Sequence, residues 1–97
     1  MGIKFQWNPN KATLNFQKHK ASFEEATTVF RDTLGMTAPD PDHSEEEDRC
    51  ITIGLSINFR LLMVAHTERD NQIRIISARE LTPTERRQYE EGSWDER

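Results

Sequence analysis

Residues Arg60–Arg79 read RLLMVAHTERDNQIRIISAR, two apolar runs on either side of a polar turn, Glu68-Arg69-Asp70-Asn71. Apolar runs joined by residues that favour turns predict two neighbouring antiparallel strands. The first run is apolar at both parities, with Leu62 and Val64 on one face and Leu61, Met63 and Ala65 on the other. A strand apolar on both sides belongs at the centre of a sheet. The second run carries Ile73 and Ile75 on one face and Ile76 and Ala78 on the other, interrupted by Arg74. Strict alternation places Arg79 with Ile73 and Ile75, on the inward parity. Polar groups collect towards the strand ends: Arg60, His66, Thr67, Arg69, Ser77 and Arg79.

The flanking segments supply the rest of the sheet. Residues 50–57 (CITIGLSI) alternate, which predicts Ile51, Ile53, Leu55 and Ile57 facing in and Thr52, Gly54 and Ser56 facing out. Residues 3–7 (IKFQW) read as a short strand with Ile3, Phe5 and Trp7 on one side. Residues 34–38 (LGMTA) read as an edge strand ended by Pro39 and Pro41, since proline cannot donate to a ladder.

Three helices have start signals. Asn8-Pro9 offers a cap and a first-turn proline for a helix to His19, with Ala12, Phe16 and His19 along one face. Ser22 with Glu25 is a capping box opening a helix over 23–31, whose buried face is Phe23, Ala26, Val29 and Phe30. Thr82 with Glu85 is a second, opening a helix over 83–91 in which Tyr89 is the only large apolar residue. The expected order is β-α-α-β-β-β-β-α. This is an α+β fold, a small antiparallel meander with two N-terminal helices packed on it and a C-terminal helix. One domain over 1–92 and a tail over 93–97, which contains Trp94, are expected.

Composition bounds the function. The net charge is −4, from 13 Lys and Arg against 17 Asp and Glu. The acids are unevenly placed. Segment 40–48 holds six and segment 90–97 four, with one base between them, so the remainder carries 7 acids and 12 bases. A body of this balance steers anions despite the acidic total. One cysteine, Cys50, allows no internal disulfide, and there is no basic-then-apolar leader, so a cytoplasmic location is expected. No apolar run approaches the ~18 residues of a membrane span. His19, His43, His66 and Cys50 lack the short spacings of a zinc site, so neither metal nor cofactor is expected. No serine lies in a nucleophile motif, and no glycine-rich phosphate loop occurs.

What remains is a set of cations and hydrogen-bonding groups at element ends: Lys18, His19, Arg60, His66, Arg69, Arg74, Arg79, Arg86, Arg87 and Tyr89. Arginine suits a phosphate because its planar fork donates two parallel hydrogen bonds. RNA carries its own nucleophile, the 2′-hydroxyl. Such chemistry needs a base, an acid and cations to stabilise the charged phosphorane. From spacing alone each residue also has an ordinary structural role open to it: a solvated lysine or arginine, or a packed histidine.

A set of motifs goes further: F-x-W-x-P-x-K at Phe5–Lys11, N-x-x-K-H at Asn15–His19, S-F-E-E-A at Ser22–Ala26 and H-T-E-R at His66–Arg69. R-I-I-S-A-R at Arg74–Arg79 and E-R-R-x-Y-E at Glu85–Glu90 complete it. In these the chain resembles the BrnT toxin family of bacterial type II toxin–antitoxin modules, over about residues 3–91. The resemblance implies a RelE-like or ParE-like fold and a metal-independent endoribonuclease that inhibits translation and growth. It implies a BrnA-like ribbon-helix-helix antitoxin as partner, RNA as substrate, and operator DNA bound only through the antitoxin. On this reading Lys18, Arg69 and Arg79 hold phosphate and transition state, and His19 and His66 supply acid and base. Arg74, Arg86 and Tyr89 hold or orient RNA. The acidic segment 40–48 and the acidic tail depart from what an RNA-binding surface needs. A catalytically inactive relative acting only as an antitoxin-binding co-repressor is the alternative.

Overall fold

The computed structural model describes residues 2–43 and 49–92. The elements run β1 (Lys4–Gln6), α1 (Pro9–His19), α2 (Phe23–Thr28) with a 3₁₀ turn at Val29–Arg31, then β2 (Met36–Pro39). A 3₁₀ turn at Pro41–His43, β3 (Arg49–Leu55), β4 (Leu61–Arg69), β5 (Gln72–Glu80) and α3 (Pro83–Glu90) follow. One five-stranded sheet forms in the order β1-β5-β4-β3-β2, so the Arg60–Arg79 hairpin supplies its two inner strands β4 and β5.

Strands β2 to β5 form the expected antiparallel meander, but the sheet as a whole is mixed. β1 lies parallel to β5, with Phe5 opposite Ile73. A chain that leaves β1 through a helical crossover re-enters the sheet in whichever direction the crossover sets, and alternation within β1 carries no information about that. Helices α1 and α2 cover one face, here the inner face. Its core is Phe23, Ala26 and Val29 from the helical layer against Leu62, Val64, Ile73, Ile75 and Ala78 from the strands. Phe5 packs on Phe30 and Trp7 stands edge-on to Phe23.

The caps form with one exception. Asn8 accepts from the backbone N–H of Asn10 and Lys11, and Thr82 and Glu85 complete a reciprocal capping box. Ser22 caps α2, but Glu25 does not reach back to it. Its buried carboxylate instead takes the Arg60 guanidinium and the Ser56 hydroxyl. Arg60 also donates to the Lys20 carbonyl, at 2.9 Å. Arg60, which the sequence offered only as one of the cations at element ends, is therefore a clamp between α2 and the start of β4.

The expected face of β3 is reversed, and that of α1 holds for Ala12 and His19, both half-buried, but not for Phe16. On β3, Thr52, Gly54 and Ser56 are buried, whereas Leu55 and Ile57 are exposed and Ile53 is buried on the outer side. Val29 lies directly over Gly54: a Cβ there would come within 2.9 Å of the Val29 carbonyl, so only glycine admits this approach. Thr52 is accommodated because its hydroxyl is bonded to Thr37 and His66. On α1 the buried residue is Asn15, and Phe16 is exposed. The Asn15 amide donates to the Ala78 and Ala21 carbonyls and accepts from the Ala78 N–H. β1 pairs with β5 only as far as Arg74, so the edge of β5 beyond it is open. Asn15 supplies there the two hydrogen bonds that a longer strand would have made.

The acidic segment is not uniformly solvated. Asp40 is buried and accepts from Arg49 Nε, His43 Nδ1 and the Asp42 N–H. Residues 44–48 and the expected tail 93–97, with Trp94, lie outside the described residues.

Candidate functional site

β5 decides which arginines meet. Val64 pairs with Ala78 and His66 with Ile75, so two residues on β4 face three positions' worth of β5. Ile76 is the extra residue of a β-bulge, and a bulge resets the alternation. Ile75 and Ala78 therefore share the inner face, while Arg74, Ser77 and Arg79 share the outer one. The expectation that Arg79 points with Ile73 and Ile75 fails for this reason.

The outer face has two ends. At the end carrying the Asp70-Asn71 turn, cross-strand rows run Lys4–Gln72–Arg69 and Gln6–Arg74–Thr67–Arg49. Lys4, Arg69 and Arg74 thus project from three strands onto one surface, and Arg49 starts from a fourth with its Nε held by Asp40. Gln6, Thr67, Arg69, Gln72 and Arg74 line a shallow hollow of about 290 Å³. Gln6 donates to Gln72 across it at 2.8 Å. Asp70 and Asn71 both adopt left-handed backbone, which is what holds this two-residue turn tight. Arg69 and Arg74 are brought together here as binding candidates, joined by Lys4 and Arg49. Neither of those two was read as a site residue from sequence, although Lys4 sits at the polar parity of its strand.

Arg79 lies at the other end, opposite Met63, and α3 rises over it. Its guanidinium makes a fork-to-fork pair with Glu85, Nη1 to Oε1 at 2.8 Å and Nη2 to Oε2 at 3.0 Å. It also donates to the Glu80 carbonyl and touches Met63 Sδ. The Arg79 hydrogen bonds hold the Glu85 carboxyl down at about 2, and Glu85 in turn raises Arg79 above its usual range. A carboxylate in this geometry occupies the two donors that a phosphate would use. Glu85 was legible as a capping residue, but its second bond to Arg79 was not.

Helix α3 buries none of its residues fully. Besides the Arg79–Glu85 pair it is tied down by Tyr89, whose hydroxyl donates to the Leu34 carbonyl at 2.9 Å. Burial pushes the Tyr89 phenol up, reinforced by the charge of Asp32. Tyr89 is thus an anchor of α3 in the first place. Arg86 is exposed and lies 3.7 Å from Glu90 along the helix.

His66 is not in this site. Its ring is fully buried on the inner face, edge-on to Phe30, with Nε2 bonded to the Thr52 hydroxyl at 2.7 Å. Nδ1 has no hydrogen-bond partner, the Glu68 carboxylate standing 3.6 Å away. Burial pushes the ring down to about 4, opposed by the backbone at Thr67. A neutral, enclosed imidazole reaches no substrate hydroxyl, which corrects its reading as an acid or base. Lys18 and His19 end α1 at the β5 edge, Lys18 exposed and His19 half-buried. Among the described residues neither bonds to Arg79.

Among the described residues no three His, Cys, Asp or Glu side chains gather as a metal site, and no helix is long and apolar enough to cross a membrane. A family model described as "Ribonuclease toxin, BrnT, of type II toxin-antitoxin system" matches residues 7–85. The backbone is similar to that of the Brucella abortus ribonuclease toxin BrnT, known from a crystal structure, with a TM-score of 0.66. Sequence identity in that superposition is 19%, over 82% of this chain and 97% of that one, so the likeness is one of fold. No curated protein matches the sequence.

Proposed function

The chain belongs to the BrnT family of ribonuclease toxins of type II toxin–antitoxin systems, and from that premise we propose that it is an endoribonuclease that cleaves RNA by attack of the 2′-hydroxyl. The observation that carries this reading is the family match, which spans β3, β4, β5 and the start of α3 and so takes in Arg74, Arg79 and Glu85. RNA lies along the outer face, its phosphates drawn to Lys4, Arg69 and Arg74, with the scissile phosphate at Arg79. Arg79 leaves Glu85 to meet the phosphorane oxygens, where charge develops. The 2′-oxygen bonds to phosphorus as the bond to the 5′-oxygen breaks. One proton leaves the 2′-hydroxyl and another reaches the departing 5′-oxygen. His19, half-buried at the end of α1, and Lys18 beside it are the acid/base and phosphate candidates. The products are a 2′,3′-cyclic phosphate and a 5′-hydroxyl, and no metal is required. Arg86 and Tyr89 orient the strand along α3. In the cell the outcome is arrest of translation and growth, in a RelE-like manner.

Membership of a type II family implies an antitoxin partner. We take it to be a BrnA-like ribbon-helix-helix protein that neutralises the toxin and joins it in repressing their operon, operator DNA being touched only through the antitoxin. The Arg79–Glu85 pair favours a second reading. If RNA does not displace Glu85, the chain is an inactive homologue that serves only as a co-repressor. Incubating the purified chain with RNA in EDTA separates the two. Fragments ending in cyclic phosphate, lost in Arg79→Ala, support the ribonuclease; equal inertness of both proteins on naked RNA and on translating ribosomes supports the co-repressor.

A further inference from the structure

We propose that the antitoxin docks on an apolar patch at the β3–β4 turn, formed by Leu34, Leu55, Ile57 and Phe59, and extends from it along α3 to cover Arg79. The proposal rests on the toxin–antitoxin reading for the existence of a protein partner, and on the following geometry for where it sits.

Phe59 is the clearest sign. Its backbone is left-handed, φ +62°, and its side chain is 80% exposed. That conformation is strained for an L-residue with a Cβ and favours glycine or asparagine. The turn would be better served by either, and the core gains nothing from the ring. Leu34 at 81%, Ile57 at 63% and Leu55 at 40% are exposed as well, Leu55 and Ile57 within four positions of Phe59 in the chain.

These groups are held together as one surface. The Asp32 carboxylate accepts from the Leu34 N–H at 2.9 Å and from the Leu55 N–H at 2.8 Å. Thr28 Oγ1 accepts from the Ile57 N–H at 2.9 Å. A Cβ on Gly35 would stand 3.0 Å from the Ile53 carbonyl, so the segment bearing Leu34 lies tight against β3. Beside Leu55 and Ile57 is a notch of about 240 Å³, lined also by Thr28, Arg31, Asp32 and Ser56. Exposed apolar side chains gathered at one end of the sheet mark a protein-binding site, whereas single exposed apolar residues need no explanation.

Charge and position select the occupant. Arg31 is exposed at the rim of the notch; Asp32 beside it is taken up by the Leu34 and Leu55 N–H groups, so Arg31 is the charge there that is open to a partner's carboxylate. The Leu34 carbonyl holds Tyr89, so the patch continues into α3 with its exposed Arg86 and Arg87. An amphipathic segment with apolar anchors and flanking acids fits both parts. The basic rows of Lys4, Arg69 and Arg74 lie at the opposite end of the sheet, so RNA is not drawn to this patch. A partner seated here leaves that end open and closes the end with Arg79.

The test uses the full chain and, as probe, the protein encoded in the adjacent reading frame, co-expressed and then titrated against purified variants. Phe59→Asn with Ile57→Ser is expected to keep the thermal midpoint and RNA cleavage of the parent. It should weaken the complex roughly 100-fold, as loss of two central anchors implies, and leave growth arrest unrelieved by the neighbour protein. Arg31→Glu should weaken it further. Unchanged affinity in the double variant overturns the proposal, as does a patch buried between two copies of this chain, seen as a dimer that the double variant dissolves. Failure of the ribonuclease reading looks different: the parent chain is inert on RNA while its complex still depends on Phe59 and Ile57.

Discussion

Arg74 and Arg79 lie on the same face of β5 although five positions separate them, because the bulge at Ile76 adds one residue between them. In a regular strand an odd separation puts two side chains on opposite faces. The bulge puts on one face two arginines that alternation would have divided.

The two arginines should respond differently to substitution. Arg79→Ala is expected to lower the cleavage rate ~10²–10³-fold, the usual effect of removing a donor to developing charge. Arg74→Ala and Lys4→Ala should instead weaken RNA binding uniformly across sequences. Each should reduce the slope of log affinity against log salt by ~0.7, as the loss of one contact to a single strand does. Binding titrations at several salt concentrations, beside single-turnover cleavage, check both.

Glu85 holds the two Arg79 donors that the proposed scissile phosphate would use. Glu85→Gln keeps a capping side chain at the third position of α3 but removes the charge, so RNA affinity and cleavage should both rise. The Glu85 carboxyl sits at about 2, below its usual range. The stability it contributes is therefore complete above about pH 4.5 and is lost only as pH falls towards 2. Activity profiles between pH 6 and 8 should accordingly show no inflection from this pair; an inflection that vanishes in Glu85→Gln would count against it.

His66 should set the slope of the stability curve between pH 6.5 and 4. Its ring titrates near 4 in the folded chain against 6.5 when unfolded, so below pH 6.5 the unfolded state takes up the proton first. Stability is full above pH 6.5 and falls as pH drops to about 4, by roughly 3 kcal/mol at most. Denaturant melts across this range should show that slope. His66→Gln should lower stability at pH 8, through lost packing on Phe30, yet flatten the curve between 6.5 and 4.

Asn15 should behave as a structural residue of unusual weight for a helix amide. Asn15→Ala leaves the Ala78 N–H and two carbonyls buried without partners, at a cost of roughly 2–4 kcal/mol. Asn15→Asp should be no better, since an oxygen then faces the Ala21 and Ala78 carbonyls. Thermal unfolding of both variants measures this directly.

Much of the architecture was legible in the sequence. The hairpin at Glu68–Asn71, the caps at Asn8, Ser22 and Thr82, and the buried face of α2 were read from local chemistry and hold in the structure. The candidate site was legible only as a collection. Arg69, Arg74 and Arg79 do share a surface, whereas Arg60 and His66 are structural. A buried histidine bonded to Thr52, or an arginine locked on Glu25 from 35 positions away, has no local signature. Nor did Lys4 announce itself, because its place beside Gln72 and Arg69 depends on β1 running parallel to β5.

By itself the sequence determined what short-range forces determine: where strands alternate, where helices begin, where prolines stop a ladder, and that cations outnumber acids once two acidic segments are set aside. Pairing across the sheet decided the rest. The bulge at Ile76 fixed which way Arg79 points, Val29 pressing on Gly54 fixed which face of β3 is inner, and Asn15 closed an edge left open by the shortness of β1. In each case the free energy comes from groups far apart in the chain that meet only after folding, so no window of residues contains the information. The stretch Arg60–Arg79 specifies a hairpin, and its partners in space decide which of its side chains share a face and which are locked away.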